Sequence, residues 1–143
     1  MEFNSADQLD VYDFVSSYNY RVTTTRNLRD PSAWYHIVVA FDSAQSTAAD
    51  RVKIYINGGS AETDLANSSY PSQNSEHYMN SAVRHIVGRA TFNNSFGSNA
   101  TSNVYLADIY FIDGSALDAT SFGAYDSNGV WRAAAYSGTF GTN

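Results

Sequence analysis

One segment of this chain is largely apolar on both sides of an extended backbone. Residues 34–41 follow a turn signal, Asp30-Pro31, and precede Asp42. Alternate side chains of a strand point to opposite faces. The two faces are Trp34, His36, Val38 and Ala40, and Tyr35, Ile37, Val39 and Phe41. Because a strand of this kind is stable where both faces are covered, we predict that it lies in the middle of a two-sheet sandwich.

Trp34 and His36 are the two residues of this segment that could take part in ligand binding or catalysis. We expect Trp34 in the hydrophobic core rather than on a sugar-binding surface, so that its replacement by alanine costs about 3–5 kcal/mol. His36 has no acidic neighbour within the strand. We therefore expect a packed or hydrogen-bonded core histidine rather than a base or a metal ligand.

The composition favours strands over helices. Of 143 residues, 11 are Tyr, 8 are Phe and 2 are Trp, whereas Lys53 is the only lysine and Glu2, Glu62 and Glu76 are the only glutamates. Aromatic residues favour strands, whereas glutamate and lysine, which favour helices, are scarce in this chain. The length indicates one domain.

Six segments have the pattern of strands: residues 9–15, 18–25, 35–41, 52–56, 82–89 and 104–112. The last of them is the second segment that is apolar on both faces. The polar segments 42–50, 60–81 and 91–103 are predicted loops. Asp118 or Thr120 is expected to cap a single helical turn near residues 118–123. This order predicts an all-β protein, an antiparallel sandwich or jelly roll.

Charge and composition argue against several classes of partner. The net charge is −6 and the seven arginines are scattered, which gives no basic surface for nucleic acid or acidic membranes. No apolar run approaches the roughly 18 residues of a membrane span, so no membrane insertion is expected. The sequence contains no cysteine, which excludes disulfides and thiolate metal sites.

Four blocks, in order, resemble strands of laminin-G-like, concanavalin-A-like jelly-roll domains: residues 34–42, 52–58, 85–89 and 105–114. The resemblance implies an antiparallel two-sheet sandwich. Domains of that family are usually longer than 143 residues. We therefore expect a partial sandwich domain over residues 1–129, incomplete at both ends, and an extended C-terminal tail over residues 130–143.

A narrower likeness covers residues 29–36, 106–114, 121–123 and 128–131, which together resemble a domain of virion structural proteins of marine tailed phages. That family occurs in tail-fibre, appendage and head-associated proteins. The resemblance implies a non-enzymatic protein of the virion surface, used for assembly or host attachment, with other virion proteins and further copies of itself as partners. The alternative is a lectin-like module that recognises a glycan of the host surface.

The carboxylates lack the arrangement of a glycosidase. Glucanases share the jelly roll and need two facing carboxylates, about 5–9.5 Å apart. Glu62 and Glu76 lie in a polar segment, and Asp108 and Asp113 have an odd spacing that points them to opposite faces of a strand. The sequence holds no Gly-x-Ser-x-Gly motif and no histidine pair at zinc-ligand spacing. We therefore expect no catalytic residue.

Aromatic residues of the polar segments are the candidates for ligand contact. An aromatic ring supplies flat apolar area at low entropic cost, and tyrosine adds a hydroxyl. The candidates are Tyr70, His77, Tyr78, Phe92 and Phe96. The alternative for each of them is an anchor that holds its own loop.

Calcium is the only cofactor that we consider, because loop carboxylates bind it in many lectin-like jelly rolls. Asp42, Asp50 and Asp64 flank the central hairpin and are the candidate ligands. The alternative is that all three are solvated loop charges.

Overall fold

The computed structural model describes residues 1–82, 85–87, 89–92, 95–101 and 104–141. Within these ranges the chain forms strands and three single-turn 3-10 helices, at Ala48–Asp50, Tyr78–Asn80 and Ala119–Phe122. The strands are β1 (Glu2–Phe3), β2 (Gln8–Phe14), β3 (Tyr18–Asn27), β4 (Ile37–Phe41), β5 (Val52–Ile56), β6 (Leu65–Ser69), β7 (Arg89–Phe92), β8 (Ser95–Thr101), β9 (Gly123–Tyr125) and β10 (Trp131–Ala133).

Every strand pair among these elements is antiparallel. One sheet has four strands in the order β1-β2-β3-β6, and β4–β5, β7–β8 and β9–β10 form two-stranded ladders. The predicted all-β, antiparallel class is therefore confirmed. β2, β3 and β5 closely follow three of the predicted strands.

The core lies between the four-stranded sheet and the β4–β5 ladder. Leu9 and Val11 of β2 share one buried cluster with Val22 of β3 and with Ile54 and Ile56 of β5. All five are at most 3% exposed. Their spacing of two residues places them on one face of each strand. Burial of this apolar surface is the main force that holds the two sheets together.

A charged group is also buried, in the four-stranded sheet. The Asp10 carboxylate, 1% exposed, accepts hydrogen bonds from Arg21 Nη2 at 2.6 Å and Thr23 Oγ1 at 2.8 Å. The hydrogen bonds with Asp10 raise the pKa of Arg21. Because the carboxylate is paired, its burial leaves no uncompensated charge inside the sheet.

Two predicted loops contain strands. β6 lies in segment 60–81 and pairs with β3, and β7 and β8 form a hairpin within and beside segment 91–103. The loop prediction was wrong for these segments because their strands form through backbone hydrogen bonds, which depend little on side-chain type. A polar strand on a sheet edge carries no alternating apolar pattern.

The predicted strand 104–112 is also wrong. The segment has no regular secondary structure, and Asp108 has a positive φ of 51°. A left-handed residue interrupts an extended backbone. Tyr105 is 91% exposed, and Leu106, Ile109 and Phe111 are each more than half exposed. Of the predicted strand 82–89, residues 83, 84 and 88 lie outside the described part, and residues 85–87 are not in a strand.

The expected places of Trp34 and of its strand need correction. β4 begins at Ile37, so the alternation of the strand does not reach Trp34, which is 68% exposed. In the part of the chain that the structure describes, β4 pairs with β5 alone. Ile37, Val39 and Phe41 nevertheless pack against the core cluster. The cost of about 3–5 kcal/mol expected for Trp34 therefore does not apply, because that range belongs to a buried ring.

The helical turn after Asp118 is confirmed. The Asp118 carboxylate accepts a hydrogen bond from Thr120 N at 3.0 Å, which caps Ala119–Phe122. β10 lies in the segment expected as a tail and pairs with β9. The division of the chain at residue 129 stays a prediction.

Candidate functional site

Asp13, Ser75 and His77 form the most closely hydrogen-bonded group of potentially reactive side chains in the described part of the chain. His77 Nδ1 lies 2.8 Å from Asp13 Oδ2, and His77 Nε2 lies 2.8 Å from Ser75 Oγ. The side chains of His77 and Asp13 are only 7% and 9% exposed. Asp13 ends up here because it shares the inward face of β2 with Leu9 and Val11.

The three side chains follow one another as in the Ser-His-Asp triad of serine hydrolases, but the serine hydroxyl donates its proton to a different group. Ser75 Oγ lies 2.6 Å from the carbonyl oxygen of Ser72, which can only accept. A hydroxyl donates only one proton, and that of Ser75 is directed to the carbonyl oxygen of Ser72 rather than to His77 Nε2. The imidazole also packs against Tyr20 and Phe41, with centroids 5.0 and 5.6 Å away. This arrangement fastens the segment before residue 78 to the core.

The structure describes the side chains of three of the five predicted ligand contacts, and these three lie in different surroundings. Tyr70 packs against the core, and its burial, assisted by the charge of Asp50, raises its pKa. His77 is buried as described, whereas Tyr78 is 55% exposed. Phe92 and Phe96 lie in β7 and β8, and their side chains are outside the described part. The role of these residues in ligand binding stays a prediction.

Two of the three calcium candidates use their side-chain carboxylates within the protein. Asp42 accepts from Ala44 N at 3.0 Å and from Gln45 Nε2 at 2.6 Å. Asp50 pairs with Lys53 at 3.0 Å, and the carbonyl oxygen of Asp64 accepts from Thr25. Among the described residues, no three His, Cys, Asp or Glu side chains are grouped closely enough to hold a metal ion. A calcium site stays a prediction.

His36 lies beside a second aromatic group. Its ring is 5.6 Å from Trp131 and 6.4 Å from Phe122. The His36 Nδ1 and Trp131 Nε1 atoms are buried and have no hydrogen-bond partner among the described residues. Burial lowers the pKa of His36, which favours the neutral imidazole. His36 is half-buried against these rings, as a packed histidine, rather than placed beside an acidic group.

A shallow cavity of about 370 Å³ opens where the turn after β5 meets the helix capped by Asp118. Tyr55 lines it from the outer face of β5, because Ile54 and Ile56 occupy the inner face. Tyr125 of β9 lines the same cavity, and its ring packs against Trp131 at 5.1 Å. Two tyrosines from distant parts of the chain therefore border one depression.

The turn beneath the cavity requires glycine. Asn57 and Gly58 both have positive φ, 52° and 70°. A Cβ atom at Gly58 would overlap the indole ring of Trp131. In the sequence, Asn57 and Gly58 only close the block 52–58 that resembles a jelly-roll strand, and Asp118 is only a candidate helix cap. Neither signal reveals that the two meet, because their proximity depends on tertiary packing.

Comparison with known proteins gives no relative from which a role could be transferred. No family model, no curated protein and no solved structure matches the chain. None of the helices in the described ranges is long and apolar enough to cross a membrane.

Proposed function

We propose that this chain is a structural domain of a bacteriophage particle, exposed on the virion surface and used for assembly or host attachment. The observation that carries the proposal is the state of segment 104–111. It resembles the late strand that closes the sheet in laminin-G-like jelly rolls and takes part in the likeness to the virion family, yet it pairs with no strand among the described residues. Leu106, Ile109 and Phe111 are each more than half exposed, whereas Tyr110 packs against other aromatic rings. An exposed apolar segment of this kind is typical of an interaction surface.

The jelly-roll architecture belongs to the same proposal. Two antiparallel sheets that share one core are the unit from which such sandwiches are built, and this chain has that unit in β2–β3 and β4–β5. The partners are other virion proteins and further copies of the chain. A neighbouring subunit would supply the strand that segment 104–111 lacks.

The proposed role is non-enzymatic. The Ser75 hydroxyl donates to the carbonyl oxygen of Ser72, and Glu62 pairs with Arg26 at 3.2 Å. Incubation with a fluorophosphonate probe, which labels activated serines, is expected to leave Ser75 unmodified. Labelling that disappears in Ser75→Ala would contradict this part of the proposal.

Mass spectrometry of purified particles is the direct test of the location. The phage that encodes this chain is grown, banded by density and digested, and peptides of the chain are expected in stoichiometric amounts. Lysate proteins that do not co-purify with particles serve as the background control. Absence of the chain from the banded particles would refute the proposal.

The second candidate function is carbohydrate binding, and the cavity beside Tyr55 and Tyr125 favours it. Two aromatic rings next to polar groups form the kind of surface that binds sugars. A glycan array, read with and without calcium, tests this candidate. Absence of binding in both conditions would refute carbohydrate binding and leave assembly as the remaining role.

A further inference from the structure

We infer that the cavity between the Asn57–Gly59 turn and the Asp118-capped helix is a binding site for a single neutral sugar unit. The inference rests on the attachment role proposed above and names its ligand and its residues. The site is formed by Tyr55, Gly58, Ser60, Asp118, Thr120 and Tyr125.

The Asp118 carboxylate has one oxygen free for a ligand. Oδ1 accepts from both the backbone N–H and the hydroxyl of Thr120, at 3.0 and 2.5 Å. Oδ2 accepts from no residue in the described part of the chain. A free carboxylate oxygen is a strong acceptor for the hydroxyls of a sugar, and charge-assisted hydrogen bonds are about twice as strong as neutral ones.

Further polar groups border the same space. The hydroxyls of Tyr55 and Ser60 have no hydrogen-bond partner among the residues that the structure describes. The hydroxyl of Tyr125 makes only a long bond, 3.4 Å, to the carbonyl oxygen of Asn57. Donors and acceptors beside a carboxylate match a ligand that carries several hydroxyl groups.

The two tyrosine rings supply the apolar part of the site. Tyr55 stands on the outer face of β5, and Tyr125 is 53% exposed while its ring rests on Trp131. One face of a sugar ring is lined by C–H groups, which pack against aromatic rings, while its edge carries hydroxyls. A site that combines rings with convergent polar groups fits this amphipathic shape.

The walls of the cavity are held in place before any ligand arrives. Gly58 lies against the Trp131 indole, and Ala119 and Phe122 anchor the short helix in the protein, at 2% and 7% exposure. Tyr125 is fixed by its pairing with Trp131 in the β9–β10 ladder. A preformed site loses little conformational entropy on binding.

Size and charge limit the ligand. A volume of about 370 Å³ is near the lower end for small-molecule sites, which suits one sugar unit rather than a buried chain. The only charged side chain of the lining is Asp118, and the chain carries a net charge of −6. Both features disfavour acidic sugars, so the ligand is neutral.

Chemical-shift titration of the full chain tests the inference. The probes are the methyl glycosides of glucose, mannose, galactose and N-acetylglucosamine, with sialic acid as the anionic comparison. We expect at least one neutral probe to shift the amides of residues 55–60 and 118–125, and sialic acid to leave them unchanged. If no neutral probe moves these amides at tens of millimolar, the inference is wrong.

Matched variants assign the binding to the cavity. Asp118→Asn retains a good helix cap and removes the charge, and Tyr55→Phe removes only a hydroxyl. We expect each to weaken binding of the responding glycoside about tenfold or more, whereas Tyr78→Phe, an exposed tyrosine outside the cavity, leaves it unchanged. Undiminished affinity in both cavity variants overturns the inference. Binding elsewhere on the chain, or presence in virions without sugar binding, would refute this site while sparing the proposed function.

Discussion

At the scale of single residues, exposure rather than residue type decides what a side chain contributes. Trp34 is 68% exposed, and Ile54, a smaller residue, is 1% exposed. We expect Trp34→Ala to change the free energy of unfolding by less than about 1 kcal/mol, because it leaves no cavity. Ile54→Ala should cost about 2–5 kcal/mol, because it removes packed atoms from the core. Urea denaturation of the two variants checks this, and a larger loss for Trp34→Ala would contradict it.

His36 makes the stability of the protein depend on pH. Burial lowers its pKa in the folded state, so the unfolded chain binds the proton more readily. The contribution of neutral His36 to stability is therefore complete above the unfolded pKa of about 6.5 and is lost as the pH falls through the lower, folded pKa. Below that pH a charged imidazole would lie beside Trp131 and Phe122.

The corresponding measurement compares wild type with His36→Gln. Thermal unfolding between pH 4 and pH 8 should show a smaller loss of stability on acidification in the variant, because glutamine does not titrate. Carboxylates and the other histidines also contribute to the acid loss, but they are common to both proteins. Parallel pH profiles for the two proteins would contradict a depressed pKa at His36.

At the scale of elements, the turn after β5 depends on a glycine for two reasons. Gly58 and Gly129 have similar positive φ, 70° and 75°, but only Gly58 faces a neighbour that a Cβ would overlap. Gly129→Ala should cost about 1–2 kcal/mol from backbone strain alone. Gly58→Ala should cost clearly more, because the Trp131 ring must also move. Chemical denaturation of both variants measures the difference, and equal losses would show that the ring yields freely.

The strands that can be predicted from the sequence are those with regularly spaced apolar side chains on one buried face. β5 alternates buried and outward residues, and the buried apolar residues of β2 and β3 recur at every second position, so the places of these strands follow from the apolar spacing. β6 is polar and becomes a strand because its backbone pairs with that of β3. This pairing imposes no apolar pattern on the side chains of β6. The run 104–112 shows the opposite failure, since apolar character alone does not distinguish a covered strand from an exposed segment.

The candidate site shows the same limit. Tyr55, Gly58 and Asp118 each have a local meaning in sequence, as a strand residue, a turn residue and a helix cap. Their convergence on one cavity follows from the packing of the β9–β10 ladder against the turn, with Trp131 in contact with Gly58. That packing joins residues far apart in the chain, so no local pattern encodes it.

At the scale of the whole molecule, a covered core coexists with an exposed apolar segment. The core cluster lies between β2–β3 and β5, while segment 104–111 leaves Leu106 54% and Ile109 57% exposed. Exposed apolar area of this kind favours association, whereas a net charge of −6 opposes non-specific aggregation. The combination suits a subunit that docks in one orientation through this segment.

We therefore predict that the chain self-associates through segment 104–111. Sedimentation velocity of the full chain should show a concentration-dependent oligomer, and the double variant Leu106→Ser/Ile109→Ser should sediment as a monomer, because it loses the apolar contact area. Val15→Ser, at a residue of similar exposure (57%) in another part of the chain, is the matched control and should associate like wild type. A wild-type chain that stays monomeric at high concentration, or a double variant that still associates, would show that this segment does not join copies of the chain.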